Sequence, residues 1–157
     1  MKKKSVFVAC GLLLSISALS IAAPKVSLEG VKCLIASKKD ANESKSAKWK
    51  EGQVYFCCDG CLSKFSKMDD KGKEKIAAAA NHQLVATKQY KQEACPVSGR
   101  PLDPALKVKV KGVEVGFCCG GCKSSTEKLD EDKQIAKVFS EKAFKKAKFA
   151  PVKKSDS

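Results

Sequence analysis

One short pattern occurs twice in this chain: Val54-Tyr55-Phe56-Cys57-Cys58-Asp59-Gly60-Cys61 and Val115-Gly116-Phe117-Cys118-Cys119-Gly120-Gly121-Cys122. Cys57 and Cys118 lie 61 positions apart, as do Cys61 and Cys122. Each cluster has a lone cysteine upstream, Cys33 and Cys95, which are 62 positions apart. Self-similarity at this period marks one supersecondary unit used twice. A thiol quartet repeated at fixed spacing points first to soft-metal ligation.

The totals agree with small units that need a staple. The chain has 157 residues, nine cysteines, one histidine and a formal net charge of +14. It divides into a leader (1–22), a lead-in (23–30), a first unit (31–90), a second unit (91–150) and a loose tail (151–157). At about 60 residues, a unit's hydrophobic core alone is marginal, so metal or disulfides are expected to complete it. Lysines are spread along the whole chain, which reads as a solvated surface; the sharper reading is attraction to anionic lipid or nucleic acid. The even spread favours the former, and no nucleic-acid partner is expected.

Met1-Lys2-Lys3-Lys4 followed by the apolar run from Val6 to Ala23 has the layout of a secretory signal peptide. Ser20 and Ala22 supply small side chains at −3 and −1, and Pro24 lies just beyond. Cleavage after Ala22 removes three lysines and Cys10, taking the charge from +14 to +11 and leaving eight cysteines, four per unit. The alternative is an uncleaved membrane anchor, the one route to membrane contact. A lipoprotein site at Cys10 fits poorly, because the apolar run follows that cysteine. Export to a periplasmic or secreted location is the expectation.

In the first unit, Val31-Lys32-Cys33-Leu34-Ile35 reads as a brief strand or knuckle, and Ser37 to Lys50 as polar loop. Val54 and Phe56 alternate as in a strand that delivers Cys57 and Cys58 to a bend at Asp59-Gly60. A helical turn follows, with Leu62 and Phe65 on one face; a break is expected around Gly72, then a helix from Lys73 to Ala86. His82 has no counterpart in the second unit, so a surface or capping role is expected for it. In the second unit, Cys95-Pro96-Val97-Ser98-Gly99 reads as a tight turn. Leu106 to Val110, a Lys111-Gly112 turn and Val113 to Phe117 make a β-hairpin feeding Cys118. Leu129 to Ala147 reads as one amphipathic helix with Ile135, Val138, Phe139 and Ala143 inward.

The candidate ligands are Cys33, Cys57, Cys58 and Cys61, then Cys95, Cys118, Cys119 and Cys122. Four thiolates suit tetrahedral Zn(II); three, with one of the adjacent pair turned away, suit Cu(I) or another soft ion. Disulfides are the alternative, since exported proteins live where thiols oxidise. Against them, adjacent cysteines bridge only with strain, and a Cys-Cys-x-x-Cys cluster ties distant segments poorly. Cys58-Asp59-Gly60-Cys61 and Cys119-Gly120-Gly121-Cys122 also permit a redox reading, although units of this size lack the strands of a thioredoxin-like fold. No Ser-His-Asp set, carboxylate pair or phosphate loop is evident, so the reading is non-catalytic.

One cysteine, some twenty residues, then Phe-Cys-Cys-x-Gly-Cys resembles the TRASH and YHS group of small metal-binding domains. The second unit is the closer match, because the first has Leu34-Ile35-Ala36 where the second has the Pro-x-Ser-Gly turn. The resemblance implies treble-clef-like units, each a knuckle and β-hairpin followed by a helix, in a small α+β protein. It implies binding of one Zn(II) or Cu(I) per unit for trafficking, buffering or resistance, with a delivery or efflux protein as partner. The three-cysteine family motif carries over to Cys33, Cys57 and Cys61, then Cys95, Cys118 and Cys122. Cys58 and Cys119 are additional to it, as possible fourth ligands.

Overall fold

The structure, a computed structural model, describes residues 26–153. The expected signal segment, with Cys10, lies outside the described residues. Among the described residues the fold is small α+β, with five helices and three two-stranded antiparallel sheets. In chain order, β1 (Asn42–Trp49) pairs with β2 (Gly52–Phe56), and α1 (Asp59–Ser66) and α2 (Asp70–Ala86) follow. After β3 (Tyr90–Lys91), β4 (Asp103–Val110) pairs with β5 (Val113–Phe117). Then come α3 (Gly120–Glu127), α4 (Glu131–Phe139), α5 (Glu141–Lys146) and β6 (Ala150–Pro151).

Alternation builds the second hairpin. Val108, Val110, Val113, Val115 and Phe117 turn inward while Lys107, Lys109 and Glu114 stay in water. Lys111 and Gly112 both adopt positive φ, 44° and 87°, as a two-residue turn of the twist-matching kind requires. The first hairpin has the same shape from much weaker sequence. β1 was expected to be loop; its Asn42-Glu43-Ser44-Lys45 start is polar and mostly exposed, so no alternation announces it. Its backbone pairing to β2 makes it a strand all the same. Both hairpins carry an irregularity at the same place, between Asn42 and Ser46 and between Asp103 and Lys107. There the side chains of Asn42 and Asp103 accept from the amides of Ser44 and Ala105, each at 2.9 Å.

Side-chain caps set the starts of α2 and α4. Asp69 accepts from the Gly72 amide at 2.8 Å and Asp130 from the Lys133 amide at 2.9 Å. The expected break at Gly72 therefore falls earlier, because the cap places that glycine inside the first turn of α2. The helix expected over Leu129 to Ala147 is two helices. At Ser140 the backbone turns out (ψ 156°), which frees the Phe139 carbonyl, and the buried Asn81 side chain donates to it at 3.0 Å. Asn81 also accepts from Trp49 Nε1 at 2.9 Å, so one amide joins β1, α2 and the α4–α5 junction.

Two apolar clusters form the core. One gathers Val54, Phe56, Phe65, Ala80 and Cys33; the larger one surrounds Phe117, Phe139, Val110 and Val115. Leu84 and Tyr90, from the first half of the chain, belong to the larger cluster. The halves thus share core. They are also joined at their exits, where β3 and β6 pair antiparallel and the Val152 amide donates to the Gln89 carbonyl at 2.9 Å. Pro151 and Val152, expected to be loose tail, are held by that pairing. His82, expected in a surface or capping role, is instead half-buried in a packing role: it meets Phe139 edge to face (5.1 Å) and its Nε2 lies 3.2 Å from the Lys111 carbonyl. No helix among the described residues is long and apolar enough to cross a membrane.

Candidate metal centres

Each cysteine cluster is assembled from a knuckle, a strand end and a helix start. In the second half the knuckle closes by the Cys95 amide donating to the Arg100 carbonyl (2.9 Å) and the Gly99 amide to the Cys95 carbonyl (2.7 Å). Gly99 takes φ +77°, a conformation that a side chain would strain. In the first half the Cys33 amide reaches the Lys39 carbonyl (2.8 Å), so this knuckle is one residue longer. That insertion accounts for the separation of 62 positions between Cys33 and Cys95 against 61 elsewhere. Cys57 and Cys118 follow the last residues of β2 and β5, while Cys61 and Cys122 lie in the first turns of α1 and α3.

Two glutamine side chains lock the strand ends against the knuckles. Gln83, on α2, accepts from the Tyr55 amide (2.6 Å) and donates to the carbonyls of Tyr55 (3.1 Å) and Lys32 (2.9 Å). In the second half Gln92, from the segment before Cys95, does the same for Gly116 and Ala94. Both place a strand residue and the residue before the knuckle cysteine on one planar amide, which sets the strand end beside the knuckle sulfur.

The sulfurs converge in threes. Cys33, Cys57 and Cys61 have Sγ atoms all within 4.8 Å of one another, and so do Cys95, Cys118 and Cys122. Cys57 and Cys61 are 3.7 Å apart, and Cys118 and Cys122 3.9 Å. With metal–sulfur bonds near 2.3 Å, sulfurs sharing one ion are about 3.8 Å apart in a tetrahedron and about 4.0 Å in a trigonal plane. The triads are near that spacing. The knuckle cysteines are buried (2% and 0% exposed), and the other four members are half-buried. All eight cysteines among the described residues are free thiols.

Cys58 and Cys119 are placed differently from the other six. Each is the residue preceding its helix, with extended backbone (φ −160° and −162°). Cys58 Sγ lies 3.7 Å from Cys57 Sγ, yet it does not join the set in which every sulfur is within 4.8 Å of every other. The structure therefore brings together six of the eight expected ligands and leaves these two beside their triads.

The local fields differ from thiol to thiol. The amide of Cys122 leads the causes that draw the Cys119 thiol down to about 7, followed by the sulfurs of Cys122 and Cys118; the Cys61 amide likewise lowers Cys58. Burial, reinforced by neighbouring thiols, pushes Cys61 and Cys122 up to about 12. Burial works against ionisation at Cys33, but the amides of Ala36, Cys57 and Ile35 outweigh it and lower that thiol. Burial also raises Cys57, so the first cluster pairs two raised thiols (Cys57, Cys61) with two lowered ones, whereas in the second only Cys122 is raised.

Two residues beside the second cluster were not expected from sequence as part of the site. Ser98 Oγ is 3.0 Å from Cys118 Sγ, and Arg100 Nη2 is 3.5 Å from Cys119 Sγ. Ser98 was legible only as the residue standing where a paired knuckle would have a second cysteine. Nothing in the sequence marks Arg100. No family model, curated protein or solved structure matches the chain.

Proposed function

We propose that this is an exported, non-catalytic protein that carries or buffers a soft metal ion outside the cytoplasm, through two TRASH/YHS-like, treble-clef-like units. One observation carries the reading: in each half, a buried sulfur more than twenty residues upstream meets two sulfurs of the strand-to-helix turn. The donor chemistry fits the cargo, since thiolates select Cu(I) and Zn(II) over hard cations. Three convergent thiolates suit trigonal Cu(I) as they stand. Zn(II) would take a fourth donor, which Cys58 or Cys119 supplies if its side chain rotates inward. The signal-like leader supports export, and a delivery or efflux protein is the partner such cargo requires.

Metal analysis of protein purified without reductant tests this. A soft metal at up to two ions per chain supports carriage, and loss of that metal to a chelator with the fold retained separates cargo from a structural staple. Absence of metal together with oxidised thiols overturns the reading. A thiol–disulfide exchange role is the second reading, favoured by the contrast between Cys119 at about 7 and Cys122 at about 12 within one Cys-x-x-Cys. Rapid catalytic reduction of a small disulfide would favour it over carriage.

A further inference from the structure

The two thiol clusters share a backbone and differ in what surrounds the sulfur. In the second, the Arg100 amide donates to Ser98 Oγ at 3.2 Å, which occupies an oxygen lone pair and leaves the hydroxyl proton free to point at Cys118 Sγ, 3.0 Å away. The Arg100 guanidinium reaches Cys119 Sγ at 3.5 Å. In the first cluster, Ala36 stands where Ser98 does and has no hydroxyl. Lys39 stands where Arg100 does, by its place at the knuckle's closing bond, and no contact of its side chain with a sulfur is present among the described residues. Next to Cys58 the first cluster has Asp59, its carboxylate paired with Lys45 at 2.8 Å, where the second has Gly120 and no side chain.

Loading a monovalent soft ion is a proton exchange with no change of oxidation state. Three S–H protons pass to solvent as three sulfur–metal bonds form, and the complex keeps two excess negative charges. A hydroxyl donor and a guanidinium beside that complex stabilise it, because hydrogen bonds to charged acceptors are the stronger ones. A carboxylate beside it does the opposite. Outer groups of this kind change metal affinity without being ligands.

Resting on the carriage reading above, we propose that the clusters are unequal in function. Cys95, Cys118 and Cys122 form the retention site, with Ser98 and Arg100 as its positioning residues. Cys33, Cys57 and Cys61 form the exchange site, which fills second and gives up its ion first. The difference is about tenfold in affinity, the scale of one hydrogen bond to a charged group.

The test offers Cu(I), without oxygen, to the full chain against a competing chromogenic chelator. Expected are two binding steps about tenfold apart. Arg100→Gln should weaken the tighter step about tenfold and leave the weaker one unchanged, and Ser98→Ala should weaken the tighter step less. Replacing Cys33, Cys57 and Cys61 together by Ser should remove the weaker step. Should that variant fail to fold, Arg100→Gln in the otherwise intact chain still decides. Equal affinities, or an Arg100→Gln variant that shifts neither step or both alike, overturn the inequality while leaving metal carriage standing. A folded, reduced chain that binds no Cu(I) overturns both.

Discussion

In the two halves of the described chain the secondary-structure elements recur in the same order and spacing, with two departures. Hairpin irregularities, turns, helix starts and the capping residues Asp69 and Asp130 all recur 61 positions apart. The first departure is the extra residue in the Cys33 knuckle; the second is the break at Ser140, where the first half runs on as one helix. Side chains follow the repeat much less closely. Phe56 and Phe117 correspond, as do Val54 and Val115, but Phe65 is matched by Thr126 and Trp49 by Val110. Convergence of three sulfurs thus depends on path and on a few buried apolar residues. The environment of those sulfurs depends on residues that the repeat does not preserve.

The largest test of this comparison concerns the shared core. Phe56 and Phe117 are both fully buried, and truncation of either to Ala should cost about 3–5 kcal/mol. Phe117 belongs to the cluster that also holds Leu84 and Tyr90, so Phe117→Ala should loosen both halves in one denaturant transition. Phe56→Ala should act mainly on the first. Two separate transitions in the unmutated protein would show that the halves are independent.

Next in size is the contrast within one cluster. Cys33→Ser removes a buried member of a triad and should lower metal affinity at that site on the order of a hundredfold or more, beyond what loss of an outer-shell partner costs. Cys58→Ser should lower it only about tenfold, the lower end of that same outer-shell range. Chelator competition on both variants decides whether three or four thiols hold the ion. Equal losses would make Cys58 a ligand in full.

The two glutamine locks give a smaller effect. Gln83 is 3% exposed and Gln92 is half-buried, so Gln83→Leu should cost about 1–3 kcal/mol by stranding the Tyr55 amide. Gln92→Leu should cost less, because water can reach the Gly116 backbone. Denaturant melts of both variants measure the difference.

The smallest effect is a pH dependence confined to the contact between halves. Burial against α4 and the second hairpin lowers the His82 pKa below its usual 6.5, with the Lys111 carbonyl partly opposing it. The folded state therefore binds this proton less readily than the unfolded one. Its contribution is complete above about pH 7 and falls as pH drops through the unfolded value near 6.5. Stability measured at pH 7.5 and 5.5 should fall on acidification, and His82→Gln should flatten that fall.

Sequence alone was enough for the thiol repeat, the second hairpin and the helix carrying Ala77 to Ala80, because periodicity and spacing are local properties. The upstream partners Cys33 and Cys95 were also legible, since the repeat itself singles them out. β1 was not, because an edge strand held mainly by backbone pairing shows no side-chain alternation. The helix break at Ser140, the role of His82 between the halves and the retained Pro151 were equally hidden. Each is fixed by a partner far away in the chain: Asn81, Phe139 with Lys111, and Tyr90. The residue types and their spacing determined which sulfurs were available, whereas only the tertiary structure decided which three share a point. A side chain's reach past a turn depends on backbone angles, and burial against distant elements sets those angles.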